Sequence, residues 1–186
     1  MKLKNMILVA IFAALSAVGA FIKIPTPFCP ITLQILFTTL AGVLLGGRNG
    51  ALSVGIYVIL GLVGLPVFTG GGGLSYVFYP TFGYLLGFIL GAFVTGTICR
   101  GGEPKFSRLL TGCLAGMVII FAIGTLYDLM ITFLYLRSSA AVATVVFHCL
   151  LPLPGDVVLC VFTAFLGKRL IPIIERMDNH GRKNAC

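Results

Sequence analysis

Residues 24–73 read IPTPFCPITLQILFTTLAGVLLGGRNGALSVGIYVILGLVGLPVFTGGGG, with Arg48 as the single charged side chain in the stretch. Two apolar runs, at 31–46 and 49–64, are bracketed by Pro25, Pro27 and Pro30 on one side and by Pro66 and Gly70 to Gly73 on the other. Proline and glycine in such clusters mark turns. The runs between them are too apolar for a soluble surface and read as helices whose solvent is lipid.

The same character extends outward along the chain. Of 186 residues, 59% are hydrophobic and 10% charged, and the mean hydropathy is +1.10. A soluble domain of this size could not bury that much apolar surface. A spanning helix needs roughly 20 mostly apolar residues to cross a core about 30 Å thick. The pattern predicts an all-α membrane protein, a single domain over residues 1–186 with six transmembrane helices. These are expected at 4–22, 31–46, 49–64, 82–99 and 107–136, with a last one that starts after LPLPGD (151–156) and ends near Ile171. The first run has a full spanning length and no cleavage site, so it is expected to be retained rather than removed as a signal peptide. The fifth is too long for a straight crossing and is expected to tilt or project. Residues 140–150 are too short to span and are expected as a half-helix folded back. Non-helical backbone at membrane depth needs a cover of protein or a cavity, which draws attention to LPLPGD.

Charge sets the orientation. With both termini cytoplasmic, the inner side carries Lys2, Lys4, Arg48, Arg100, Lys105, Arg108, Lys168, Arg169, Arg176, Arg182 and Lys183. The outer side carries only Lys23 and Arg137, and basic residues favour the cytoplasm. The net charge of +8 is then a matter of topology and of anionic lipid headgroups, not of nucleic acid. The glycine run and LPLPGD face outward.

Several chemistries find no support. Cys29, Cys99, Cys113, Cys149, Cys160 and Cys186 form no CxxC pair and no zinc spacing, so neither a metal site nor a structural disulfide is expected. His148 beside Cys149 could suggest a base and a nucleophile. Adjacent residues on a helix point about 100° apart, however, and a packed histidine is the preferred reading. Gly70 to Gly73 lack the Lys and Ser/Thr that follow the glycines of a phosphate-binding loop. No cofactor is expected, and energy must come from another protein or a gradient.

Acids in a membrane chain are informative, because burying their charge costs several kcal/mol, order of magnitude, without a partner or a cavity. Asp156, at the head of the last helix, can cap orphan backbone donors. Its other oxygen remains able to accept N–H groups of a ligand. Asp128, about 21 residues into helix five and so roughly 30 Å along it, is expected near the outer surface and solvated. Gln34 faces either a neighbouring helix or a pocket. In helix one, Ala10/Ala14 and Ala13/Ala17 are small-xxx-small pairs that let helices approach closely, with an internal neighbour or an external partner as the alternatives.

The stretch quoted above, followed by PTFGYLLGF (80–88) and LPLPGDVV (151–158), closely resembles the BioY family of biotin-specific substrate-binding (S) components of energy-coupling factor (ECF) vitamin transporters. The resemblance implies a six-helix S-component bundle in the cell membrane of a prokaryote, and biotin as the substrate. The pocket would lie near the outer side, closed by the loops at 23–30 and 65–80. It would draw on Asp156, with Gly71, Gly72 and Gly73 letting backbone approach the vitamin and the lid move. Gln34, Ser75, Tyr76 and Tyr84 are candidate contacts from their expected position. The resemblance further implies that Ala10, Ala13, Ala14 and Ala17 dock a transmembrane T-component, that two cytoplasmic ATPase subunits complete the transporter, and that the S-component topples within the membrane.

One departure stands out. The family commonly carries a lysine three residues after the aspartate of the PGD motif, and here that residue is Leu159. Another vitamin or biotin-like ligand is therefore the alternative within transport. Outside it stand a membrane-embedded enzyme built on His148, Cys149 and Asp156, and a purely structural scaffold.

Overall fold

The computed structural model describes residues 3–24, 31–100, 103–136 and 151–183. Helix α1 spans Leu3–Phe21. Strands β1 (Lys23–Ile24) and β2 (Ile31–Thr32) follow, and then α2 (Gln34–Leu45) and α3 (Gly47–Leu62). A 3-10 turn at Leu74–Phe78 precedes α4 (Phe82–Cys99). Helix α5 (Phe106–Ile131) runs into a π turn at Thr132–Leu136, and α6 covers Leu153–Lys183. The six expected helices are all present. The expected half-helix at 140–150 lies outside the described residues, as do Arg137, His148 and Cys149.

Four helices hold apolar stretches long enough to cross a membrane: Leu3–Phe21, Phe82–Cys99, Phe106–Leu134 and Leu153–Ile174. Their outer faces carry exposed Val118, Leu126, Leu134, Val158, Phe162 and Phe165, the surface that lipid rather than water would cover. Helices α2 and α3 fall short of that length, and α2 is the shorter of the two. It was expected to start at Ile31, but Ile31 and Thr32 pair antiparallel with Ile24 and Lys23, and the Leu33 N–H donates to the Ile22 carbonyl at 3.1 Å. Twelve residues remain, a rise of about 18 Å against a hydrocarbon core of about 30 Å.

The last helix also differs from expectation. It begins inside LPLPGD, at Leu153, and continues through Pro172. Pro154 sits in the first turn, where a missing N–H costs nothing, and the Asp156 N–H donates to the Pro152 carbonyl at 3.0 Å. Asp156 is thus a first-turn residue rather than the N-cap. Its negative charge suits the positive end of the helix dipole.

Helix α4 is the hub, in contact with α2, α3 and α5. It achieves this by bringing backbone onto backbone. A methyl group on Gly96 would sit 2.6 Å from the Gly42 carbonyl oxygen and would also strike the backbone of Gly46 and Gly47. At the other end of the bundle's wiring, the Lys4 ammonium donates to the Ile174 carbonyl at 3.0 Å, so α1 begins beside the far part of α6.

Because the neighbours of Gly96 are backbone atoms that cannot rotate away, Gly96→Ala is expected to destabilise the protein by about 1–3 kcal/mol. Thermal unfolding in detergent measures this, and an unchanged melting temperature would show that α4 can shift off the α2–α3 corner at no cost.

Candidate functional site

The short α2 leaves space above its first residue, and several elements enclose that space. Thr32, Gln34 and Ile35 come from β2 and α2, while Tyr84, Leu85 and Phe88 come from α4. Ile120 and Phe121 belong to α5, and Pro152 and Asp156 to the start of α6. Thr69, Tyr76 and Thr81 close it from the segment between α3 and α4. The cavity holds about 70 Å³, several times what one water requires. Its walls are largely apolar with a few polar groups converging on them, the usual make-up of a small-molecule site.

Two of those polar groups find no hydrogen-bond partner among the described residues. Asp156 is 8% exposed, and none of the described residues donates a hydrogen bond to its carboxylate. Gln34 is 3% exposed, and its Nε2 donor has no acceptor. Leaving a buried polar group unpaired costs about 1–3 kcal/mol, and more for a charged one. An acceptor and a donor unsatisfied around one cavity therefore describe what it is built to receive: a ligand with N–H groups and an oxygen of its own.

The segment over the cavity is a folded cap. Phe68 and Gly71 exchange backbone hydrogen bonds of 2.9 and 3.2 Å, and the Gly73 N–H reaches back to the Gly61 carbonyl at 2.8 Å. Phe68 is buried, with ring centroids 5.6 Å from Tyr57 of α3 and 4.6 Å from Tyr76. The Tyr76 hydroxyl lies 3.1 Å from Thr69 Oγ1 and 3.2 Å from Thr81 Oγ1. The Tyr127 hydroxyl of α5 donates to the Val77 carbonyl at 2.5 Å. From β1, the Lys23 ammonium donates to the Thr69 carbonyl at 2.9 Å.

These contacts reassign the glycines. Gly71 and Gly73 have φ of 118° and 105°, a region that L side chains rarely adopt. Gly72 lies so close to the Leu65 carbonyl oxygen that a Cβ would collide with it. None of the three lines the cavity, so they serve the turn of the cap itself. Ser75 is exposed and does not line it either.

Of the residues picked from the sequence, Asp156, Gln34, Tyr76 and Tyr84 are brought together around one cavity. Asp128, expected to be solvated, is 3% exposed because its side chain turns inward, and Thr132 Oγ1 donates to its Oδ1 at 3.2 Å. The alanines of α1 divide. Ala13 is buried and Ala17 partly so, while Ala10 and Ala14 are exposed, because the border of the packed face runs between the two pairs. Sequence reasoning missed Thr32, Thr69, Thr81 and the apolar walls. For Phe88 a signal existed, since it lies four residues after Tyr84 on the same helix face.

Comparison with known proteins places this geometry in context. Residues 1–176 match the BioY family. The chain is 45% identical over 174 residues to the "Probable biotin transporter BioY" of Lysinibacillus sphaericus, covering 92% of this chain and 88% of that one. It is 37% identical over 183 residues to the biotin transporter BioY of Rhizobium etli, with coverage of 92% and 95%. It also resembles a crystal structure at 2.1 Å of the S-component for biotin from an ECF-type ABC transporter. That superposition has a TM-score of 0.78 at 27% identity over 91% of each chain.

If the Asp156 carboxylate is held for a ligand rather than for the fold, Asp156→Leu should melt no lower than the unmodified protein, because replacing a buried charge by a hydrophobe is often neutral or stabilising. Unfolding followed without ligand tests this, and a drop of several degrees would return Asp156 to a capping role.

Proposed function

The chain belongs to the BioY family, and from that premise we propose that biotin occupies the cavity between α2, α4, α5 and α6, with Asp156 and Gln34 reading its ureido ring. The protein is the membrane-embedded S-component of an ECF-type transporter, a multi-pass membrane protein. The observation that carries the assignment of residues is the pair of unpartnered groups around one cavity, the Asp156 carboxylate and the Gln34 amide donor. Biotin's cyclic urea offers N–H groups to the first and a carbonyl oxygen to the second. Its fused, sulfur-containing ring is apolar and suits Phe88, Ile120 and Phe121. Tyr76 lines the same cavity from the cap and Tyr84 from α4.

Capture at the outer side follows from the orientation that the basic residues favour, with both termini cytoplasmic. Delivery inward needs energy that this chain has no phosphate-binding loop to harvest, so a T-component and two ATPase subunits complete the assembly. The exposed pair Ala10 and Ala14 is the docking face on α1, since small residues let a partner helix approach to backbone distance. Ala13 and Ala17 act on the inner side, where they pack within the bundle.

Hydrogen bonds to a charged group are worth about 1.5–3 kcal/mol. Asp156→Asn is therefore expected to weaken biotin roughly ten- to one-hundred-fold in isothermal titration of the detergent-purified protein. No heat from biotin with a folded protein, alongside stabilisation by a different vitamin, would overturn the substrate and leave the transport class standing. For the docking face, Ala14→Leu should abolish co-purification with the T-component and cellular biotin uptake while titration with biotin stays unchanged. Uptake at the unmodified rate would place the partner surface elsewhere.

A further inference from the structure

Beside the main cavity, and sharing Thr32 with it, lies a cleft between the β hairpin and α6. Ile22, Leu33, Val158 and Leu159 make its walls apolar, and Lys23 is the one charged side chain among the described residues that line it. Lys23 and Thr32 are directly opposed in the β1–β2 pair, and opposed side chains project to the same face of a sheet. The Lys23 ammonium is bonded to the carbonyl of Thr69 at 2.9 Å, and Thr69 lines the main cavity. The cation thus stands where the cleft, the cavity and the cap meet. An ammonium has three donors, and Thr69 takes one. Lys23 forms no ion pair among the described residues; the surface pair Lys105–Glu103 belongs to the segment before α5.

We propose that this cleft is the subsite for the acyl chain of the ligand and that Lys23 is the receptor for its carboxylate, a reading that rests on biotin as the ligand of the main cavity. Biotin is bipolar in its demands. Its ureido end needs an acceptor and a donor, which Asp156 and Gln34 supply. Its other end is a run of methylenes finished by a carboxylate, and none of the described residues lining the main cavity carries a positive charge. The cleft supplies both missing parts, an apolar wall for the methylenes and a cation with free donors at its edge. Leu159 gains a meaning as well. It lines the same cleft from α6, so a lysine introduced there would offer the cation from the other wall.

Titration of biotin and of its neutral analogue biotinamide against the unmodified protein, Lys23→Gln, Lys23→Arg and the double variant Lys23→Gln/Leu159→Lys tests the assignment. A charge-assisted bond predicts that Lys23→Gln weakens biotin about tenfold or more and biotinamide by less than about twofold, the retained biotinamide binding showing that the variant is folded. Lys23→Arg should keep the preference for biotin, and the double variant should regain it. Equal weakening of both ligands would mean that Lys23 only ties the hairpin to the cap through Thr69, and the proposal would fall. Equal affinity of biotin and biotinamide for the unmodified protein would also overturn it, because the carboxylate would not be read at all. Failure of the unmodified protein to bind biotin would instead remove the premise about the main cavity.

Discussion

The pairing of Lys23 and Ile24 with Ile31 and Thr32 is a small interaction with a large effect. It withdraws the first residues of the second apolar run from the helix and leaves α2 at twelve residues, too short to cross the hydrocarbon core. A full-length α2 would fill the space above Gln34 with its own first turn. With the shorter helix, Gln34 begins at depth, its side chain buried, and the start of α6 brings Asp156 to the same space. The hairpin also sets Thr32 on the border between cavity and cleft, and Lys23 against the cap. Cavity, cleft and cap all depend on that one antiparallel register.

The rest of the bundle holds these parts in place by close approach. Helix α4 lies against α2 and α3 through glycine, so Tyr84, Leu85 and Phe88 project from an element with little freedom to shift. The cap is tied at several points: to α3 through the aromatic contact of Phe68 with Tyr57, to α5 through Tyr127, and to β1 through Lys23. Its glycines permit the tight path of the chain. The side chains that line the cavity come from the cap's Thr69, Tyr76 and Thr81 and from the elements beneath it.

Much of the fold was legible in the sequence, because long apolar runs between proline and glycine clusters have few other readings. Helix α4 came out residue for residue, bracketed as it is by Pro80 and Arg100. The start of α2 did not, because a two-residue strand is fixed by a distant partner and leaves no periodic trace in Ile31 and Thr32. Asp156 and Gln34 were legible as polar residues in apolar surroundings, although the capping geometry assigned to Asp156 was one turn off. Asp128 was misplaced since distance along a helix says nothing about which way a side chain faces. Thr32, Thr69 and Thr81 were invisible: small neutral hydroxyl residues occur at every turn, and only tertiary structure gathers them around one space.

The ties of the cap to α3, α5 and β1 have a consequence in time. On the proposed reading a ligand beneath the cap leaves only after the cap lifts, and lifting it parts Phe68 from Tyr57, Tyr127 from the Val77 carbonyl and Lys23 from the Thr69 carbonyl together. Affinity built in this way resides in slow dissociation more than in fast capture. A site that holds its cargo by dwelling does not release it unaided at a useful rate. On the proposed assembly, work supplied by partner subunits would be spent on unfastening the cap, with the ligand's own contacts giving way once water can reach them.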